Sequence, residues 1–183
     1  MAGFHIVSGR WMAMVHGFAY AVYDDQGGPR GDQRIFGPNM VMGMAQRPLG
    51  SGTFGVRSML SLDPATVEGD GYLLLFQTGE TADGVRPLID RQHPHDFMME
   101  LATTFSVPIG AEDSLFGYVG YPGEPALGPA TFMHRFSGME IPEAPISHHW
   151  LDSTHISFGV VTVGYVHQQF KIDGSIFTGR EPD

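Results

Sequence analysis

The stretch Asp90-Arg91-Gln92-His93-Pro94-His95-Asp96 runs directly into Phe97-Met98-Met99-Glu100-Leu101-Ala102-Thr103-Thr104-Phe105-Ser106-Val107, and the change of pattern at that junction decides the fold. Charge and imidazole stop, and a period-two alternation begins with Phe97, Met99, Leu101, Thr103, Phe105 and Val107 on one side. Pro94 disfavours helix for His93 and sets an extended entry. A polar loop therefore feeds a strand.

The same junction recurs on either side. Alternating segments are predicted at 10–23, 39–48, 53–62, 97–108, 114–121, 155–166 and 170–180. In the last, Phe170, Ile172, Gly174 and Ile176 share one parity while Lys171, Asp173 and Ser175 occupy the other, so one face is greasy and the other wet. Leu49-Gly50-Ser51-Gly52, Ile109 to Asp113 and His167-Gln168-Gln169 are tight turns, and the first of them closes a hairpin. The segments 63–96 and 122–154 are long connections, with Gly71 to Phe76 as a short strand or an apolar plug inside the first.

Loops of that length count against an ordinary compact domain. They are normal in one architecture, the outer-membrane β-barrel, with strands of about 9–11 residues, short turns at one end, long loops at the other, a lipid-facing apolar parity and a polar lumen. The expected fold is therefore all-β, an antiparallel up-and-down meander forming part of a transmembrane barrel in one domain. Trp11, Tyr23, Tyr121 and Phe177 near strand ends suit interfacial girdles. A soluble β-sandwich or barrel shows the same alternation with its apolar face turned inward. Single-chain bacterial barrels have even strand counts, so the seven segments suggest a piece of a longer barrel.

Composition agrees with strands and narrows the partners. Of 183 residues 25 are Gly, aromatics make up 11%, charged residues only 16%, and Lys171 is the single lysine. A formal charge of -10 excludes a nucleic-acid partner, which needs a basic face, and favours cations or neutral solutes. Without cysteine there is neither a disulfide framework nor a thiolate metal site.

Four phrases in order carry a resemblance: Asp90 to Asp96, Gly123-Glu124-Pro125-Ala126-Leu127-Gly128-Pro129, His148-His149-Trp150-Leu151-Asp152-Ser153-Thr154-His155-Ile156 and Gly179-Arg180-Glu181-Pro182-Asp183. From about Gly9 onward the chain resembles a family of uncharacterised Gram-negative outer-membrane β-barrel proteins, often encoded beside heavy-metal or copper efflux systems. The resemblance implies a secreted barrel in the outer membrane, with a signal peptide and further strands. It implies no particular activity.

Candidate chemistry lies in the loops. His93, His95, His134, His148, His149, Asp152 and His155 sit in or beside the two long connections, and neutral imidazoles joined by carboxylates are ligands for Zn, Cu(II) or Ni. Neither HPHD nor HHWLDSTH matches a named zinc motif. The competing reading makes these groups anchors that cap turns and hold the loops, with Asp90, Arg91 and Asp96 in that role. Met12, Met14, Met40, Met42, Met44, Met98 and Met99 carry thioethers suited to Cu(I), but period-two spacing favours packing or a membrane-facing position. Arg57, Glu100, Lys171 and Asp173 are candidates for lining a lumen. No GxSxG elbow is present, and the chain reads as a non-enzymatic porin-like barrel that passes or binds small solutes, linked to metal ions. The alternative is a soluble all-β metalloprotein or metalloenzyme using the loop histidines around Zn or Fe.

Overall fold

Strand pairing follows chain order almost without exception. The computed structural model describes residues 3–28, 32–67, 85, 95–136, 138–141 and 157–179. Eight strands form one antiparallel sheet: β1 (Phe4–Ser8), β2 (Trp11–Ala19), β5 (Asn39–Leu49), β6 (Gly52–Leu60), β7 (Met98–Pro108), β8 (Asp113–Gly120), β9 (Ser157–His167) and β10 (Phe170–Gly179), in that spatial order. A separate hairpin pairs β3 (Val22–Asp25) with β4 (Gln33–Phe36), and a single helical turn, α1 (Asp63–Thr66), follows β6. Among the described residues the sheet is open, with β1 and β10 as its unpaired edges.

The meander and its strand ends match the sequence pattern closely, with three corrections. The sheet has eight strands, not seven, because Phe4–Ser8 folds back on β2 through Gly9 and Arg10. Gly9 sits at φ 60°, the left-handed conformation a two-residue hairpin turn requires. The first predicted strand ends at Ala19, not Tyr23, and its tail joins the β3–β4 hairpin. The third correction concerns Met99. Met59 pairs with Glu100 and Leu60 with Met98, so a bulge leaves Met99 unpaired and turns it to the same face as Glu100, against strict alternation. Gly71 to Phe76 lies outside the described residues.

All short turns of the sheet lie at one end, and the connections 20–38, 61–97 and 121–156 leave from the other. Register then sorts the side chains onto two faces. One face is covered by returning loop segments: Phe36, Val67 and Met133 pack on Met40, Met42, Met59 and Met99, with Phe18, Val22 and Met44 alongside. Further along that face Ala102, Tyr118 and Val160 form a smaller cluster.

Among the described residues the opposite face is uncovered and apolar. Phe4, Ile6, Val15, Val41, Val56, Leu101, Phe105, Leu115, Val119, Val161, Val163, Ile172 and Ile176 are all exposed on it. Several of their cross-strand partners are also aliphatic or are glycine, as in Val41 with Leu60, Val119 with Val161, Val161 with Ile176, and Val163 between Gly117 and Gly174. Aromatics mark both margins. Near the turns Trp11 meets Phe54 edge-on at 6.4 Å and carries Arg47 over its ring at 5.4 Å; near the loops Tyr121 meets Phe158 at 5.5 Å.

Candidate functional site

Polar chemistry gathers on the covered face. Register places Arg57 beside Ala102, Glu100 beside Met59, and Tyr118 beside Thr104, so three neighbouring strands turn charged or hydroxyl groups the same way. Arg57 Nη2 lies 3.1 Å from Glu100 Oε2 and 3.2 Å from Glu124 Oε2. The Tyr118 hydroxyl donates to Glu100 Oε1 at 2.7 Å and accepts from the Glu124 backbone N–H at 2.6 Å. Glu100 has no exposed surface, and an isolated buried carboxylate is costly, so the arginine and tyrosine are conditions of its placement. The contact with Glu100 is a charge pair without hydrogen-bond geometry, and Arg57 Nε has no hydrogen-bond partner among the described residues.

This network ties the segment after β8 to the sheet. Gly123 N donates to Ser157 O, Leu101 N to Pro122 O, and Ala126 N to Ser175 Oγ, which also bonds Thr162 at 2.6 Å. Close approach requires glycine, since a Cβ on Gly123 would stand 2.8 Å from both the Tyr118 hydroxyl and Gly120 Cα. Between this segment and the sheet lies a cavity of about 510 Å³ lined by Arg57, Thr104, Phe116, Tyr118, Glu124, Thr162, Lys171 and Asp173 among others. Lys171 pairs with Asp173 at 2.7 Å and lies 4.9 Å from the Phe116 ring centre. Phe116 in turn occupies the space a side chain at Gly164 would fill. The four residues expected to line a lumen thus share one face, and three of them, Arg57, Lys171 and Asp173, border one cavity.

A second polar unit anchors the other long connection. His95 is buried, and its Nδ1 lies 2.6 Å from Asp63 Oδ2. The other oxygen of Asp63 accepts from Asn39 N at 2.8 Å, while Ser61 Oγ accepts from Asp63 N at 2.9 Å. Burial works to raise the Asp63 carboxyl, but His95, the Asn39 N–H and Ser61 together hold it below the usual carboxylate range. Thr66 Oγ1 donates to Gly37 O, and Asn39 Oδ1 accepts from Leu62 N, so helix α1, β5 and the approach to β7 form one latch.

The two predicted histidines within the described residues meet different fates. His95 belongs to this latch, and Asp96, expected to anchor the loop, is exposed. His134 sits in the 3₁₀ turn Phe132–His134 with Nδ1 3.2 Å from Thr131 Oγ1, and its ring stands edge-on to His16 of β2, centroids 5.5 Å apart. Burial lowers the His134 pKa below its usual value, opposed by Glu124 and reinforced by His16 and Arg57. His93, His148, His149, Asp152, His155, Asp90 and Arg91 lie outside the described residues. Among the described residues no three of His, Asp and Glu converge as a metal-holding group.

Sequence reasoning left out Tyr118, Asp63 and His16, met Glu124 only as a residue of the second long connection, and placed Ser175 only on the wet parity of the last strand. Only Asp63 carried a local signal, as the Asp-Pro that ends β6; the others meet partner side chains 13 to 118 residues away, beyond what spacing can reveal. Comparison with protein-family models, with curated proteins and with solved structures finds no match to the chain.

Proposed function

We propose that the chain forms part of an outer-membrane β-barrel of porin-like type, embedded in the lipid bilayer of a Gram-negative bacterium, through which small solutes or metal ions pass or on which they bind. The observation that carries this reading is the inversion of the sheet. Its uncovered face is a field of aliphatic and aromatic side chains, whereas its covered face holds, beside the methionine cluster, ion pairs, hydroxyls and a polar cavity. Monomeric soluble proteins rarely expose an apolar patch beyond a few hundred Å², and a whole sheet face exceeds that. Lipid covers such a face at no desolvation cost, and aromatic margins suit the two interfaces. On this reading further strands pair with β1 and β10, Arg57, Glu100, Lys171 and Asp173 line the lumen, and the segment from Pro122 narrows it.

Detergent dependence separates this from a soluble all-β metalloprotein. Refolded into detergent, the protein is expected to stay monodisperse, to precipitate when detergent is removed, and to run on SDS gels with a mobility that shifts only after heating. Monodisperse behaviour in plain buffer would reject the membrane reading.

A further inference from the structure

The methionines of the covered face gather around an imidazole pair. Met14 pairs across strands with Met44, and His16 with Met42, so one contiguous strip of β2 and β5 presents one thioether pair, a third thioether and a histidine. The loop segment brings His134 onto His16 and Met133 into the cluster that contains Met42. His134 Nε2 is buried and has no hydrogen-bond partner among the described residues, while Nδ1 faces Thr131 Oγ1. A nitrogen held this way is oriented by its other ring atom, as metal-bound imidazoles are.

We propose that His16, His134 and the Met42 thioether form a site for a soft monovalent cation, Cu(I) or Ag(I). Three lines meet here. Two imidazoles sharing one ion, at metal–nitrogen distances of about 2.0–2.1 Å, hold their ring centres about 5–6 Å apart, and the observed separation is 5.5 Å. Met42 stands directly opposite His16 in the register and is buried in the same cluster as the neighbour of His134. Thioether and imidazole without carboxylate or thiolate is a donor set that selects Cu(I) over Zn, Mg or Ca. A cavity of about 260 Å³ bordered by His5, Met12, Met14 and Met44 adjoins the strip, and Met12 is half exposed, so further thioethers lie beside the proposed ligands. Methionine instead of leucine at these positions then has a chemical reason beyond packing.

The site does not rest on membrane insertion, so its test uses the full chain folded in detergent whatever the lipid experiments return. Calorimetric titration with Ag(I) is expected to give one strong site per chain. Met42→Leu conserves volume and apolarity while removing the sulfur; it and His134→Gln are each expected to weaken Ag(I) binding more than about tenfold, with the circular dichroism spectrum unchanged. Zn(II) is expected to bind more weakly and to be indifferent to Met42→Leu. The proposal is overturned if the wild-type chain shows no such site, if the His16→Gln/His134→Gln double variant keeps wild-type affinity for Ag(I), or if Zn(II) binds as tightly as Ag(I) with Met42→Leu affecting neither.

Discussion

Replacing Val163 with arginine is expected to abolish most assembly into lipid vesicles and to cost about 2–4 kcal/mol in whatever fraction folds. Val163 lies at the middle of β9 on the uncovered face, 63% exposed, with Gly117 and Gly174 as its cross-strand neighbours. Nothing beside it can shield a guanidinium, and the distance to either margin is several residues, too far for easy snorkelling. If that face met water, arginine at so exposed a position would change stability by no more than about 0.5 kcal/mol. The two environments therefore predict opposite outcomes for one substitution. Folded yield in vesicles and denaturant midpoint in micelles, measured for Val163→Arg and for the wild type, read the difference.

Arg57→Ala should produce the second large effect. The substitution leaves Glu100, without exposed surface, to Tyr118 alone, and releases Glu124 from the only charge pair it makes among the described residues. Breaking one partner of a buried pair costs about 3–5 kcal/mol, because the orphaned charge stays desolvated. Removing both charges with side chains of similar volume, Arg57→Met with Glu100→Leu, is expected to restore most of that loss, since the penalty lies in the uncompensated carboxylate. Denaturant unfolding of the single and double variants checks this. A double variant as unstable as Arg57→Ala would show that the network is a required scaffold for the segment from Pro122 to Ala126, not a local charge balance.

Much of the sheet was legible because period two is a local signal. Lys171 and Asp173 fell on one parity of β10 and Ile172 and Ile176 on the other from the sequence alone, and the register keeps them so. The turns at Gly50 and Gln168 were legible for the same reason. What escaped was either too short or too distant. Phe4–Ser8 is five residues, below the length at which alternation separates from chance, and the β3–β4 hairpin pairs two runs of four residues across a polar bend. The bulge at Met99 is invisible without its partner strand, because only the pairing of Met59 with Glu100 and Leu60 with Met98 shows the extra residue.

The histidines teach the same lesson at the site. HPHD left two readings open, metal ligand or loop anchor, and His95 takes the second: it meets an aspartate 32 residues away and becomes part of a latch between β5, helix α1 and β7. His16 carried no motif at all and drew attention only once His134 was seen beside it. Arg57 and Glu124 are 67 residues apart, and their contact depends on a loop folding back over the sheet. Strand pattern fixes which face a residue takes; which loop lands on that face is a long-range fact.

The central claim is that the uncovered face meets lipid and the covered face meets water, and labelling tests it most directly. The sequence has no cysteine, so single cysteines introduced along β9 and β10 report one position each. With the protein assembled in vesicles and each cysteine carrying a fluorophore, positions 161, 163, 172 and 176 are expected to be quenched by brominated lipid. Positions 162, 171, 173 and 175 should instead be quenched by a water-soluble agent. Equal aqueous quenching at both parities, or no lipid quenching at 161 and 163, would contradict a membrane-embedded sheet.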